Sequence, residues 1–248
     1  MTANAAMNQP AASTLKKLSS STIVWLALVA YLALVKIILD TFLPHAFADP
    51  DQASLFGWVP LGIFSGLGLV GVWLSRKTGF PEAWDKRISN WQRLLIPILA
   101  GVGFGALQVG VDMLTGFTKL IAARHGVAQQ YTDPVSMSLI FSAAPILVEV
   151  LYRLLIIPVL LGLISNVILK GRGQAQVFWG LALLTSALEP FMQFPDLQVL
   201  PGSVMAVYAL ELYALNLTQA AFFRKYGFLA AILIRVGFYM VWHVVYAH

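Results

Sequence analysis

The sequence lacks cysteine and has few charged residues. None of the 248 residues is a cysteine, which excludes disulfides, thiolate metal sites and cysteine nucleophiles. Charged residues make up only 11% of the chain, whereas 59% are hydrophobic and the mean hydropathy is +0.78. A chain of this composition cannot cover its apolar residues with polar surface in water. The composition therefore excludes a soluble enzyme, a DNA-binding protein and a secreted disulfide scaffold, and predicts an integral membrane protein.

Seven apolar segments follow the first 21 residues. A helix that crosses the hydrocarbon layer of a bilayer needs about 20 apolar residues. The pattern predicts an all-α, polytopic membrane bundle of seven transmembrane helices, in which a polar tail, 1–21, precedes a single membrane domain, 22–248. The fourth segment contains Pro145 and Pro158, so it is either one tilted, kinked helix or a short re-entrant piece followed by a span. The seven segments are 22–43, 54–75, 94–114, 135–169, 176–194, 201–223 and 226–247.

The basic residues indicate an orientation. The chain has 16 Lys+Arg, and a seven-span arrangement places 11 of them in loops on one side and only Lys119 and Arg124 on the other. By the positive-inside rule, the N-terminus is predicted to lie in the cytoplasm, as expected for a multi-pass protein of a bacterial-type inner membrane. The cytoplasmic connection 76–93 mixes basic and aromatic residues and is predicted to lie along lipid headgroups rather than to bind nucleic acid. The outer segment 115–134 is predicted to form an interfacial helix.

Ionisable residues inside the apolar segments are the strongest candidates for a site, because each is expensive in lipid unless it is paired or solvated. Glu149 and Arg153 are spaced i, i+4 on one helix face and are predicted to pair. Glu189 and Arg235 have no partner within their own segments. Glu189 must be protonated, solvated by a cavity or paired with a neighbour, and a salt bridge to Arg235 is the hypothesis that satisfies both residues. These four residues would form a neutral buried cluster, which Glu211 can join. A structural ion pair and a catalytic carboxylate held by an arginine give the same sequence pattern, so both interpretations stay open.

The remaining polar candidates are weaker. His243 lies in the last segment, where a lone histidine is more often a structural residue than a metal ligand. A zinc site needs three or four converging ligands, and Glu149, Glu189 and His243 are the set that this sequence offers. Lys36 and Asp40 repeat the i, i+4 spacing near the outer end of the first segment and are predicted to be a self-paired couple at the interface.

The segment around Glu149 resembles a motif of a known family. Val-Glu-Val-Leu-Tyr-Arg at 148–153 is similar to the Glu-Glu-x-x-x-Arg motif of the CAAX protease and bacteriocin-processing (CPBP) family of intramembrane proteases. The resemblance covers most of 55–246, the predicted CPBP-like core. It extends to Trp-Leu-Ser-Arg-Lys-Thr-Gly-Phe at 73–80, Leu-Leu-Thr-Ser-Ala-Leu-Glu-Pro at 183–190 and Tyr-Gly-Phe-Leu-Ala-Ala-Ile-Leu-Ile-Arg at 226–235.

The resemblance implies a set of site positions and also a loss of chemistry. In the family, the first glutamate is the catalytic base for water, histidines position the water or stabilise the oxyanion, and a terminal Asn or Asp assists. Valine cannot accept a proton, and an arginine, which is always charged, cannot act as a neutral base or metal ligand. The inherited mechanism is therefore expected to fail here. The corresponding positions are Val148, Glu149 and Arg153 in the first motif, Glu189 in the second, and Arg235 and Tyr239 in the third.

The leading prediction is a CPBP-like pseudo-protease that binds or stabilises another membrane protein or a peptide within the lipid bilayer. The alternative is an active intramembrane peptidase in which Glu149 is the base, Arg153 orients it, and Glu189 and His243 replace the missing histidines. A divalent metal such as zinc belongs only to this alternative, and no other cofactor is predicted. A third hypothesis, a small transporter, is suggested only by the buried charges.

Overall fold

The computed structural model describes residues 18–47, 50–120, 133–198 and 200–246. Across these residues the regular structure is helical throughout, which confirms the all-α prediction for this part of the chain. The polar tail 1–21 and the predicted interfacial helix at 115–134 lie largely outside the described residues. The helices are α1 Ser20–Phe42, α2 Pro50–Leu55, α3 Trp58–Lys77, α4 Trp91–Thr115, α5 Pro134–Ile168, α6 Gln174–Ser186, α7 Leu188–Leu197, α8 Gly202–Tyr226 and α9 Phe228–Tyr246.

Five of these helices are long and apolar enough to cross a membrane, namely α1, α3, α4, α5 and α9. The two other predicted spans differ from them for separate reasons. The segment 176–194 is broken at Ala187 into α6, which has 13 residues, and α7. Helix α8 has 25 residues but carries Glu211, Asn216 and Gln219, which make it less apolar than the five. The structure is therefore a helical bundle with the composition of a membrane protein.

The fourth predicted segment is one continuous helix, α5, rather than a re-entrant piece followed by a span. It contains π-helical turns at Val150–Leu155 and Gly162–Ile168. Pro158 has no N–H to donate to the carbonyl of Leu154, four residues earlier, and the first π-helical stretch ends just before it. Helix α3 approaches the same carbonyl at Gly71, where a Cβ atom would lie 2.4 Å from the Leu154 oxygen. Only glycine permits this close contact between the two helices.

Helices α5 and α9 form the centre of the bundle. Half of the apolar window of each is buried, compared with 22 to 28% for α1, α3 and α4. Helices α4 and α9 are in backbone contact, because a Cβ atom at Gly101 would lie 2.0 Å from the carbonyl oxygen of Ile234. From the opposite side, a Cβ at Gly237 would lie 2.5 Å from the oxygen of Ile98. Small residues allow such close approach between membrane helices, and here they fix the position of α9.

The loop between α3 and α4 is tied to the start of α1 through Glu82. Its Oε2 accepts hydrogen bonds from Ser20 Oγ at 2.9 Å and from the backbone N–H of Ser21 at 3.2 Å. Its Oε1 lies 2.8 Å from Arg76 Nε at the end of α3. Partial burial raises the pKa of Glu82, but these hydrogen bonds and the charge of Arg76 outweigh it, so that the pKa lies below its ordinary value. Glu82 thus joins the ends of two candidate spans.

Arg93, at the start of α4, holds the same loop from within. Its guanidinium donates to the carbonyl oxygens of Ala83 at 2.7 Å and Asp85 at 2.6 Å, and also to that of Ile88. Asp85 in turn accepts a bond of 2.6 Å from Arg87 Nη2. Hydrogen bonds from Arg87 lower the pKa of Asp85 to about 2. The buried arginine binds backbone carbonyls, while the exposed arginine pairs with a carboxylate whose side chain is 13% exposed.

Candidate functional site

Four helices bring their polar residues together inside the bundle. Helix α5 contributes an i, i+4 pair just before and within its first π-helical stretch, and α8 contributes an i, i+3 pair of amides. Helix α7 supplies a glutamate in its first turn, where the helix dipole favours negative charge, and α9 supplies an arginine. None of the six residues is more than 8% exposed. This charge cluster consists of Glu149, Arg153, Glu189, Asn216, Gln219 and Arg235.

Glu149 receives three hydrogen bonds on one oxygen and none on the other. Its Oε1 accepts from Arg153 Nη1 at 3.0 Å, from Gln219 Nε2 at 2.7 Å and from Arg235 Nε at 3.2 Å. Its Oε2 is buried and has no hydrogen-bond partner among the described residues. The predicted pairing of Glu149 with Arg153 is present, and Arg235 also contacts this carboxylate.

Arg235 and Glu189 form the bidentate pair that their sequence positions predict. Arg235 Nη1 donates to Glu189 Oε1 at 2.7 Å, and Nη2 donates to Oε2 at 2.6 Å. The planar fork of a guanidinium matches the two oxygens of a carboxylate, which makes this the strongest type of protein ion pair. Because Nε of the same guanidinium reaches Glu149, Arg235 lies between the two carboxylates and binds both.

Two amides connect the charged groups, and sequence reasoning missed both of them. Asn216 Oδ1 accepts from Arg235 Nη2 at 3.1 Å and also from Arg153 Nη2, which donates in addition to the Asn216 backbone oxygen at 3.0 Å. Gln219 accepts from Arg235 Nη2 at 3.0 Å through Oε1. The signal that could have revealed them is two amides spaced i, i+3 within a mainly apolar segment, since such groups need partners in lipid.

The charge cluster is electrically neutral, with two carboxylates and two guanidinium groups. A complete buried ion pair adds little to the free energy of unfolding, because the cost of desolvating both groups offsets the attraction between their charges. Removing one partner is different, since it leaves an uncompensated charge in the interior and costs about 3–5 kcal/mol. Loss of any one of the four charged residues is therefore expected to destabilise the protein, because its partner keeps an unpaired charge in the interior.

Tyr239 and His243 lie on α9 beyond Arg235, and both contact aromatic rings. The guanidinium carbon of Arg235 is 5.8 Å from the centre of the Tyr239 ring, at cation–π distance. His243 stacks on Phe141 of α5, with ring centroids 3.9 Å apart and an interplanar angle of 3°. His243 also meets the ring of Tyr239 edge-on at 5.0 Å. The histidine is thus beside the charge cluster but makes aromatic contacts rather than completing a set of ligands.

The donor set does not suit a divalent metal at the predicted positions Glu149, Glu189 and His243. Among the residues that the structure describes, no three His, Asp or Glu side chains converge as metal ligands. Both oxygens of Glu189 already accept hydrogen bonds from Arg235. A dication would also lie against the guanidinium groups of Arg153 and Arg235, which repel it. The alternative that includes zinc therefore does not fit these side chains.

Two buried residues outside the charge cluster have side-chain oxygens without a hydrogen-bond partner among the described residues. Glu211, which was predicted as a possible member, is buried on α8, but neither of its oxygens has a partner in the described part of the chain. Glu211 therefore makes no hydrogen bond to the charge cluster, and the possibility that it joins the cluster is not realised among the described residues. The hydroxyl of Ser186 at the end of α6 is likewise buried without a partner among the described residues.

The predicted Lys36–Asp40 pair is present near the end of α1.

Compared with protein-family models, curated proteins and solved structures, the chain matches none of them.

Proposed function

We propose that this chain is a CPBP-like integral membrane protein whose catalytic centre has become a structural charge cluster. In this proposal it is a pseudo-protease that acts by binding or stabilising another membrane protein or a peptide. The family resemblance at 148–153, 183–190 and 226–235 supports the ancestry. The chemistry of the residues now at those positions supports the loss of catalysis.

The observation that carries the proposal is the position of Arg235. Its side chain is 0% exposed and binds Glu189 through two nitrogens and Glu149 through the third. A general base must be able to take a proton from water, but Oε1 of Glu149 already accepts three hydrogen bonds, two of them from guanidinium groups. Arginine itself stays charged at any physiological pH, so it supplies no replacement base.

The proposed topology has seven spans with the N-terminus in the cytoplasm of a bacterial-type inner membrane. In addition to the five candidate helices, α6 together with α7 would form one span and α8 another. This count keeps 11 basic loop residues on one side, as the positive-inside rule requires. Cysteine introduced singly into loops of this cysteine-free chain, and labelled from one side with an impermeant maleimide, tests the proposed arrangement directly.

The test of function is proteolysis in a membrane. The purified chain would be reconstituted into liposomes with fluorescent membrane-anchored peptides, including prenylated ones, and compared with Glu149→Ala. We expect the same background cleavage for both proteins. Cleavage by the wild type that Glu149→Ala abolishes would overturn the proposal. A control, Asp40→Ala, removes a carboxylate from the Lys36 pair outside the charge cluster and should not alter cleavage in either case.

One observation favours the alternative of an active peptidase. Glu149 Oε2 and Ser186 Oγ are both buried and have no partner among the described residues, so each retains capacity for a hydrogen bond. In this alternative, Glu149 activates a water molecule through Oε2, while Arg153 orients the Glu149 carboxylate. Because Arg235 would then block the site, Arg235→Leu should raise cleavage if the chain is a masked peptidase and leave it at background if it is a pseudo-protease.

A further inference from the structure

A groove lies between the start of α1 and the last turns of α3, and none of its lining residues belongs to the charge cluster. Its volume is about 420 Å³, and it is lined by Thr22, Leu69, Val70, Trp73 and Arg76. Three of these side chains are large and apolar yet 43 to 56% exposed: Leu69, Val70 and Trp73. An apolar surface of this kind at the side of a membrane helix is a contact site for an acyl chain or for another helix.

The groove ends in positive charge. Arg76 and Lys77 occupy the last turn of α3, and the ammonium group of Lys77 lies 5.9 Å from the centre of the Trp73 ring. Arg76 contacts Glu82 through Nε at 2.8 Å, and its side chain is 46% exposed, so the guanidinium remains accessible to a further ligand. Two cations and one carboxylate give 2 − 1 = +1 at this end, which complements a ligand with a single negative charge.

The depth of these residues fits a headgroup position. Arg76 and Lys77 follow 18 residues of α3, and Thr22 lies in the first turn of α1, so the groove reaches the same end of two candidate spans. Tryptophan rings favour this level of a bilayer, and basic residues there attract anionic lipids.

We propose that the groove binds one phospholipid with an anionic headgroup. An acyl chain lies along Leu69, Val70 and Trp73, and the phosphate contacts Arg76, with Lys77 adding charge. Because Arg76 is also joined through Glu82 to Ser20 and Ser21, the bound lipid strengthens the connection between α1 and α3. This site does not depend on whether the charge cluster is catalytic.

The test uses the full chain in vesicles of equimolar phosphatidylglycerol and phosphatidylcholine, followed by detergent extraction and native mass spectrometry of the lipid that stays bound. We expect one retained phosphatidylglycerol per chain. Arg76→Gln should lower this retention about fivefold, the effect of one basic residue at an anionic surface. Val70→Trp, which places a larger ring in the groove and leaves Arg76 and Glu82 unchanged, should lower this retention at least as much.

Two matched variants separate the groove from general effects. Arg87→Gln removes the same charge from the loop that follows α3, outside the groove, and Val59→Trp adds the same ring at the opposite end of α3. Both should retain phosphatidylglycerol as the wild type does. Equal losses in Arg76→Gln and Arg87→Gln would show diffuse electrostatic attraction only, and equal retention of both lipids would remove the anionic preference. A changed oligomeric mass in Val70→Trp with unchanged lipid would assign the groove to a second copy of the chain. Each of these three results overturns the proposal.

Discussion

The charge cluster and the loop between α3 and α4 both pair arginines with carboxylates, but in opposite surroundings. In the cluster, Arg235 is fully buried and binds two carboxylates and two amides. In the loop, Arg87 binds one carboxylate, Asp85, and its side chain is 86% exposed. The same chemical pair is therefore part of a closed network in one place and a solvated contact in the other. The comparison shows what determines the free energy lost when an arginine–carboxylate pair is broken. It depends on how many partners the arginine has and on whether water can reach them.

The strongest way to test this comparison is to remove a cation from each region. Arg235→Met should destabilise the chain by about 3–5 kcal/mol, because Glu189 loses both of its ionic contacts in the interior. Arg87→Met should change the free energy of unfolding very little, since water replaces the lost partner. Unfolding in mixed micelles of a mild detergent and dodecyl sulfate, followed by circular dichroism, measures both.

The double variant Glu189→Met/Arg235→Met is the control for the first prediction. It removes a complete pair and leaves Glu149 and Arg153 to neutralise each other, so it should recover most of the stability that Arg235→Met loses. If the double variant were as unstable as the single one, the cost would come from lost packing rather than from an uncompensated charge.

The second prediction concerns the support of Arg235 by α4. Gly101→Ala would place a Cβ atom 2.0 Å from the carbonyl oxygen of Ile234, the residue before Arg235. The backbones of α4 and α9 must then separate, at a cost of about 1–3 kcal/mol. Gly103→Ala is the matched control, because no atom lies within 4 Å of its added Cβ. Equal stability of the two variants in the micelle assay would mean that α9 is not held by this contact.

The third prediction concerns the loop, where Arg93 binds carbonyl groups instead of a carboxylate. Arg93→Gln should cost about 1–3 kcal/mol, because the carbonyl oxygen of Ala83, a residue that is 0% exposed, loses its donor in the interior. We expect faster cleavage by chymotrypsin after Trp84. Arg93→Lys should also be cleaved faster, since an ammonium group lacks the planar fork that reaches several carbonyls at once. Wild-type resistance of Arg93→Lys would show that charge alone is sufficient.

Electroneutrality made the charged part of the cluster predictable from the sequence. Glu149 and Arg153 share a helix face, and Glu189 and Arg235 each needed a counter-charge that their own segments lack, so the pairs followed from the cost of a lone charge in lipid. Electroneutrality does not predict the amides Asn216 and Gln219, because an uncharged group needs hydrogen bonds but no counter-charge.

Glu211 and the end of α6 show where the sequence argument was insufficient. A carboxyl group can be neutral by carrying a proton, so electroneutrality alone did not determine whether Glu211 belongs to the cluster. The break at Ala187 had a local cause that was available in the sequence: Pro190 cannot donate to the carbonyl of Ser186, four residues earlier. The helix pairs in backbone contact, by contrast, depend on which glycines face each other, and a single sequence does not contain that information.

The smallest expected effect is the acid titration of the surface pair. Hydrogen bonds from Arg87 lower the pKa of Asp85 from 3.8 to about 2. Because the folded-state pKa is below that of the unfolded chain, the pair stabilises the loop fully above about pH 4 and loses this contribution as the pH falls toward 2. The backbone N–H of Arg87, which donates to Asp85 Oδ1 at 2.9 Å, reports the change in an NMR titration of arginine-labelled protein. Asp85→Asn should abolish the transition. A midpoint at the ordinary value of 3.8 would show that Arg87, which is 86% exposed, does not hold the carboxylate and that the pair contributes nothing to the loop.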